Sequence, residues 1–168
     1  LFVGLPGFKV HGASFAAQAV GAGAVAVVTD SQGAHLAADL PGTPVLVHED
    51  PRALVGPLSQ EVYHHPAEHL TATAVTGTNG KTTTSYFLDA MLAAHLGGCM
   101  VAGTVELRVG GTSVESPRTT VEAPVLARMM ALAVEEGVGA ASLEASSHAI
   151  VLHRLDGVIF DVVGFTNL

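Results

Sequence analysis

The opening part of the chain alternates short apolar runs with stretches of helical spacing and with loops rich in Gly and Pro. Strands are predicted at residues 1–5, 24–28 and 44–47. Ser14 is expected to cap a short helix after the first strand. Asp50 and Pro51 predict the start of another helix, because Asp is a good cap and Pro suits the first helical position.

A polar, broken stretch at residues 63–70 interrupts this alternation and is the expected domain boundary. Its sequence is Tyr-His-His-Pro-Ala-Glu-His-Leu, and the three histidines could be taken for metal ligands. No predicted helix holds them at ligand spacing, so a solvated linker is the preferred interpretation. We therefore divide the chain into a domain of residues 1–67 and a domain of residues 68–168.

The alternation starts again after this stretch. Strands are predicted at residues 70–76, 140–143 and 158–165, helices at 81–96 and 121–136, and a hairpin at 105–109 and 112–115. Because strands separated by helices form right-handed βαβ units, the predicted fold class is α/β with a mainly parallel sheet.

Composition narrows the class of protein. The 168 residues are 49% hydrophobic and 13% charged, which is typical of a compact soluble chain. A net charge of -8 with seven basic residues argues against broad nucleic-acid binding. The lone Cys99 cannot form an internal disulfide, which favours a reducing compartment, and it is interpreted as a small buried hydrophobe. No stretch resembles a membrane span or a leader, and both ends of the chain look cut.

The strongest chemical signal is a glycine loop between a predicted strand and a predicted helix. Its candidate phosphate-binding residues are Gly77, Thr78, Asn79, Gly80, Lys81, Thr82 and Thr83. Glycines let backbone amides turn toward phosphate oxygens, and the following helix adds the positive end of its dipole. Lys81 supplies a charge for the outer phosphates, and the Thr82 hydroxyl is a Mg²⁺ ligand candidate.

The loop departs from the general pattern G-x-x-x-x-G-K-[ST]. Val75 stands where the first glycine is usual, and Gly77 takes over that role three residues before Gly80. An ordinary glycine-containing turn between a strand and a helix is the alternative interpretation.

This altered spacing, GTNGKTT, resembles the ATP loop of the Mur ligase and folylpolyglutamate synthetase superfamily. Further stretches resemble the tripeptide synthetases of the Mur ligase family, and they lie at residues 1–28, 118–120, 144–148, 154–157 and 165–168. The resemblance implies a small nucleotide-sugar-binding α/β domain followed by part of a P-loop domain with a mainly parallel sheet. It also implies ATP and Mg²⁺ as cofactors.

The resemblance assigns roles to individual residues. Glu144 would help Thr82 hold the Mg²⁺ of ATP, and a carboxylate after a strand lies where open α/β sheets bind ligands. Lys81 and Glu144 are therefore the catalytic candidates. The alternative for Glu144 is a surface carboxylate.

Substrate contacts are implied at seven positions: Phe8, Lys9, Val10, Thr119, Thr120, Ser146 and Arg154. Lys9 could neutralise a diphosphate or could simply be solvated. A planar guanidinium such as that of Arg154 pairs well with carboxylate or phosphate. Thr119 and Thr120 could instead cap the following helix. Val121 and Leu152 depart from the family pattern, so contacts near Leu152 are in doubt.

By resemblance, the complete enzyme joins meso-diaminopimelate or L-lysine to UDP-N-acetylmuramoyl-L-alanyl-D-glutamate through an acyl phosphate, in cytoplasmic peptidoglycan synthesis. We expect the chain to lack parts that the reaction needs and to be inactive alone. Three alternatives stay open: a folate polyglutamating ligase, a P-loop kinase or ATPase, and a non-catalytic paralogue that binds a nucleotide sugar. Neither the amino acid nor the oligomeric state follows from the sequence.

Overall fold

The computed structural model describes residues 1–168 and divides into two compact units, Leu1–Leu54 and Val55–Leu168. Each unit has a sheet and a hydrophobic core of its own. The expected domain boundary between residues 67 and 68 stays a prediction.

The first unit is built on a small parallel sheet in the order β1-β2-β3. Its elements are β1 (Phe2–Gly4), α1 (Ala16–Gly21), β2 (Val27–Thr29), α2 (Ser31–Leu36) and β3 (Val45–Val47). α3 (Pro51–Val62) begins in this unit, and the Asp50 carboxylate accepts a hydrogen bond from the backbone N–H of Arg52 at 3.1 Å, as expected for a helix cap. The core contains Ala16, Val27 and Ala37.

Two details of the first unit differ from the sequence-based expectation. Ser14 is not a cap: it lies inside a 3₁₀ turn, Gly12–Phe15, which is capped by His11, whose Nδ1 accepts from the Ala13 N–H. α2 was not predicted, because six residues containing a glycine have too little apolar periodicity. Asp30 caps this helix by accepting from the Gly33 N–H at 2.7 Å.

The second unit has a six-stranded sheet in the order β7-β6-β5-β8-β4-β9. Its strands are β4 (Thr71–Thr76), β5 (Cys99–Ala102), β6 (Glu106–Val109), β7 (Thr112–Glu115), β8 (Ala140–Glu144) and β9 (Val162–Phe165). Its helices are α4 (Lys81–Leu96), α5 (Ala123–Glu135) and α6 (Ser147–Val151). β5, β8, β4 and β9 are mutually parallel, and the β6–β7 hairpin is antiparallel, so the predicted mainly parallel α/β fold is confirmed.

β5 is the strand that the sequence pattern did not predict. It follows the helix stop at Gly97-Gly98 at once, and all four of its residues are buried between β8 and β6. A short apolar run with no alternation gives no periodic signal, and only its neighbours in the sheet make it a strand.

The core of the second unit lies between the sheet and α5. Met100, Leu126, Met130 and Leu143 are among its fully buried side chains. α5 begins after Glu122, which is its cap position, so the interpretation of Thr119 and Thr120 as the cap of this helix is wrong.

Two global observations complete the fold. No helix has the length and apolar character needed to cross a membrane. The histidines at 64 and 65 follow the end of α3 with positive φ angles, and nowhere are three or more His, Cys, Asp or Glu residues grouped to hold a metal ion.

Candidate active site

The candidate site of the second unit lies where its parallel strands end. The glycine loop follows β4, Thr104 follows β5, Glu144 ends β8, and Thr166 and Asn167 follow β9. Because these strands are parallel neighbours, their carboxyl ends meet at one edge of the sheet. This is the edge at which open α/β sheets bind ligands.

The glycine loop has the backbone that a phosphate loop requires. Gly77 and Gly80 have φ angles of 128° and 84°, and Gly80 is the residue immediately before α4. The Lys81 ammonium donates to the carbonyls of Gly77 at 2.7 Å and Thr78 at 3.1 Å, which holds it over the loop. The positive end of α4 and the lysine charge therefore act at the same place.

The missing first glycine of the general motif has a structural explanation. Val75 is still part of β4, is fully buried, and pairs with Glu144 of β8. The chain leaves the sheet only after Thr76. The turn therefore begins at Gly77, and a glycine at residue 75 would only weaken a buried strand.

A second segment, the chain after β9, holds the loop in place. The Thr166 hydroxyl lies 2.6 Å from the Asn79 carbonyl, to which it donates, and the Thr78 N–H donates to the Asn167 carbonyl at 3.1 Å. The Asn167 side chain accepts from the Asn79 N–H and donates to the Asn79 carbonyl. Sequence reasoning did not assign Thr166 and Asn167 to the site, although they belong to a stretch that carried the resemblance.

An open cleft of about 440 Å³ lies beside the loop. Its lining consists of Thr76, Gly77, Thr78, Lys81, Ser146, Ser147, Phe165, Asn167 and Leu168. The cleft thus joins the glycine loop to one predicted substrate contact, Ser146. Thr82, Thr83 and Glu144 are not among its lining residues.

Glu144 is buried at the floor of this edge and is 1% exposed, so its interpretation as a surface carboxylate is wrong. Thr104 holds both of its oxygens: the backbone N–H donates to Oε1 at 2.8 Å and the hydroxyl bonds Oε2 at 3.0 Å. Gly103 leaves no room for a side chain, since a Cβ there would lie 2.4 Å from Oε1.

A carboxylate and a threonine hydroxyl are hard oxygen donors, and Mg²⁺ in nucleotide sites needs few of them besides phosphate oxygens and water. Each oxygen of Glu144 also keeps a lone pair beyond its bond to Thr104. The donor set therefore fits Mg²⁺. The Thr82 backbone is anchored by its carbonyl, which accepts from the Ser85 hydroxyl at 2.8 Å.

Three of the predicted substrate contacts form one polar cluster. The Thr120 hydroxyl donates to the Glu144 carbonyl at 2.7 Å and accepts from the Ser146 N–H at 3.1 Å. Arg154 donates to the Thr120 carbonyl at 3.1 Å and pairs with Glu122 at 3.0 Å. The Arg154 Nε is buried without a hydrogen-bond partner. Thr119 adjoins the cluster through its hydroxyl, 3.1 Å from that of Thr104.

The two departures from the family pattern have different environments. Val121 is 3% exposed and packs in the core beneath the cluster. Leu152 is partly buried and ends α6 as its C-cap.

The remaining predicted contacts, Phe8, Lys9 and Val10, lie in the first unit and are all exposed, Phe8 completely. They occupy the loop after β1.

Beyond them His11 donates from Nε2 to Asp30 at 3.1 Å, because its Nδ1 accepts a backbone N–H. The hydrogen bond from the Gly33 N–H, aided by His11, lowers the pKa of Asp30.

A half-buried polar network connects α4 to the hairpin. Arg108 on β6 pairs with Asp89 on α4 at 2.5 Å, and Tyr86 donates to Glu106 at 2.8 Å. The neighbouring Cys99 is buried, as predicted, and this burial raises the pKa of its thiol to about 12, which disfavours the reactive thiolate.

A glycine loop between a parallel strand and a helix, with a lysine over it, defines an α/β protein of the phosphate-loop nucleotide-binding class. Comparison with protein-family models gives two matches: "Mur ligase family, catalytic domain" over residues 1–63 and "Mur ligase middle domain" over residues 75–168. The chain belongs to the Mur ligase family.

Comparison with individual proteins supports this family assignment. The chain is 47% identical over 168 residues to the UDP-N-acetylmuramoyl-L-alanyl-D-glutamate–2,6-diaminopimelate ligase of Streptomyces avermitilis, covering 100% of this chain and 33% of the relative. It is 48% identical over 171 residues to the UDP-N-acetylmuramyl-tripeptide synthetase of Leifsonia xyli, covering 100% of this chain and 32% of the relative.

A solved structure of a UDP-N-acetylmuramoyl-L-alanyl-D-glutamate–2,6-diaminopimelate ligase superposes with a TM-score of 0.78 at 27% identity. The match covers 99% of this chain and 33% of that one. The chain therefore spans about a third of the length of the relatives it matches.

Proposed function

We propose that this chain forms part of an ATP-dependent ligase that adds a diamino acid to UDP-N-acetylmuramoyl-L-alanyl-D-glutamate. The observation that carries the proposal is the meeting, at one sheet edge, of the glycine loop with the polar cluster of Thr120, Ser146 and Arg154. The activities for which the relatives are named supply the substrate class. Residues 1–67 and 68–168 are the proposed nucleotide-sugar-binding and ATP-binding domains.

In this proposal ATP is bound by residues 77–83. The loop amides and the start of α4 face the phosphates, and Lys81 moves its ammonium from the loop carbonyls to the outer phosphate. Thr82 and Glu144 would hold Mg²⁺, which neutralises phosphate charge when bound. Transfer of the terminal phosphoryl group to the D-glutamate side carboxylate gives an acyl phosphate, and the amine of the diamino acid then displaces phosphate.

The peptide end of the muramoyl substrate is assigned to Thr119, Thr120, Ser146 and Arg154. Arg154 supplies the positive charge of this cluster, and a planar guanidinium pairs well with carboxylate or phosphate groups. The uridine nucleotide is assigned to the exposed loop of Phe8, Lys9 and Val10, where Lys9 would meet the diphosphate. Few cations are needed to bind these phosphate groups, because backbone amides also bind anions.

The proposed amino acid is 2,6-diaminopimelate, the amino acid named for the Streptomyces avermitilis ligase, with L-lysine as the competing choice. The test is ADP formation by the complete gene product, which includes any sequence flanking residues 1–168. Assays contain UDP-N-acetylmuramoyl-L-alanyl-D-glutamate with meso-diaminopimelate, with L-lysine, or without an amino acid. The Lys81→Ala variant is compared with Arg128→Ala, which removes one exposed positive charge of α5.

We expect turnover that needs both the muramoyl substrate and one amino acid, is lost in Lys81→Ala by at least about a hundredfold, and is kept in Arg128→Ala. ADP formation that does not depend on the amino acid would favour a kinase or ATPase. Turnover that UDP does not inhibit would favour a folate ligase, and muramoyl binding without turnover would favour a non-catalytic paralogue. Each of these three results contradicts the proposal.

A further inference from the structure

Thr104 was not assigned any role by the sequence, yet it forms hydrogen bonds with both carboxyl oxygens of Glu144. It follows β5 and is itself exposed, whereas the carboxyl group beneath it is buried. Its N–H and hydroxyl reach different oxygens of that carboxyl group, at 2.8 and 3.0 Å. Two bonds from one residue hold the plane of the carboxylate, which a single bond would leave free to rotate.

The donor and acceptor roles along this chain of groups are determined by counting protons. A hydroxyl has one proton, and an ionised carboxylate only accepts. The Thr104 hydroxyl therefore donates to Oε2 of Glu144. It has no second proton for the Thr119 hydroxyl, 3.1 Å away, so Thr119 must be the donor in that contact. The Thr119 oxygen then faces any further partner with lone pairs only.

The same count applies to Ser146. The Thr120 hydroxyl gives its proton to the Glu144 carbonyl, so the 3.3 Å contact between Thr120 and Ser146 uses the Ser146 proton. The Ser146 oxygen also accepts from the Ala149 N–H at 3.2 Å. Ser146, like Thr119, therefore offers an acceptor and no donor to a ligand.

We propose that Thr104 is a positioning residue that orients the Glu144 carboxylate toward Mg²⁺ and makes Thr119 a hydrogen-bond acceptor for the substrate. Thr119 and Ser146 then recognise N–H or O–H groups, such as peptide amides, while carboxylates of the substrate are left to Arg154. This inference rests on the proposed function, in which Glu144 binds the ATP-bound metal ion.

The first test is equilibrium ATP binding by the complete gene product during a Mg²⁺ titration, which needs no turnover. Thr104→Val keeps the shape and the backbone N–H but removes the hydroxyl, and Thr104→Ser keeps the hydroxyl. Thr112→Val, on the exposed face of β7, is the matched control. Thermal unfolding of each variant reports whether it is folded.

We expect Thr104→Val to raise the Mg²⁺ concentration for half-maximal ATP binding about tenfold, as is usual when a group that orients a metal ligand is lost. Thr104→Ser should stay within about twofold of the parent protein, and metal-free ATP affinity should not change. A folded Thr104→Val variant with the parent Mg²⁺ requirement would overturn the inference. Equal shifts in the Val and Ser variants would also overturn it.

The second readout is the apparent affinity for the muramoyl substrate. Without Thr104 as its acceptor, the Thr119 proton can turn toward the ligand, so Thr104→Val should raise the KM several-fold and Thr104→Ser should restore it. The outcomes separate the two proposals. If ADP formation does not depend on the amino acid but Thr104→Val shifts the Mg²⁺ requirement, the ligase function is refuted and the role of Thr104 is supported. If turnover depends on both substrates but Thr104→Val shifts nothing, the ligase function is supported and the role of Thr104 is refuted.

Discussion

Replacing Gly77 with Ala perturbs the point where the glycine loop meets the segment that holds it. The φ angle of Gly77 is 128°, a backbone conformation that residues with a side chain rarely adopt. A Cβ at this residue would lie 2.2 Å from the Thr166 hydroxyl oxygen and 2.9 Å from the Asn167 carbonyl. The backbone strain and the steric conflict therefore act together.

The size of the effect follows from these contacts. The backbone conformation alone costs about 1–3 kcal/mol for a residue with a Cβ. Moving the chain after β9 away would break the bonds from Thr166 to Asn79 and from Thr78 to Asn167, 2.6 and 3.1 Å long. Each such bond contributes about 0.5–1.5 kcal/mol net. We expect a loss of about 2–6 kcal/mol in the free energy of unfolding.

Gly97→Ala is the matched control. Gly97 ends α4 with a φ of 78°, and no heavy atom lies within 4 Å of its hypothetical Cβ. Its replacement should cost only the left-handed strain, about 1–2 kcal/mol. Denaturant unfolding measures stability, and isothermal titration with ATP and Mg²⁺ measures affinity.

The two variants should differ most in ATP binding. Gly77→Ala should weaken it at least about tenfold, because displaced loop amides no longer converge on the phosphates, and Gly97→Ala should leave it unchanged. If both variants lose the same stability and Gly77→Ala binds ATP normally, the contacts between the loop and the chain after β9 do not position the loop.

Two further predictions follow from shifted pKa values. The pKa of Asp30 is lower in the folded protein than its ordinary value of 3.8. The ionised carboxylate therefore stabilises the fold at pH values above 3.8, and this contribution is lost as the pH falls through the pKa of the folded state. Asp30→Asn should therefore flatten the acid limb of stability, measured by circular dichroism from pH 2 to pH 7; an unchanged limb would refute this. Cys99, with a pKa of about 12, should resist iodoacetamide at pH 8 until denaturant is added, and rapid labelling of the native chain would contradict its burial.

Much of the fold was predictable because its signals are local. The helix after the glycine loop was predicted with the bounds that the structure has, residues 81–96, since a positive-φ glycine stands at each end. The hairpin was predicted from Gly110 and Gly111, and Gly110 has a φ of 52°, which a residue without a side chain adopts readily. The missed strand, β5, has no such signal.

The candidate site divides in the same way. The residues 77–83 are contiguous, so their spacing alone predicts a phosphate-binding loop. Thr104 and Asn167 lie far from the loop in the chain, and no local sequence pattern predicts which side chains they contact. They enter the site only because β5, β8, β4 and β9 end at one edge.

The amino-acid sequence by itself determined the alternation of strands and helices, the phosphate loop and the family, because each depends on residues close together in the chain. The tertiary structure decided that Glu144 is buried, that Thr104 holds it, and that Arg154 pairs with Glu122. Burial and hydrogen bonding depend on which strands become neighbours and in which register. That choice is made by packing of the whole sheet, over sequence separations at which no local pattern acts.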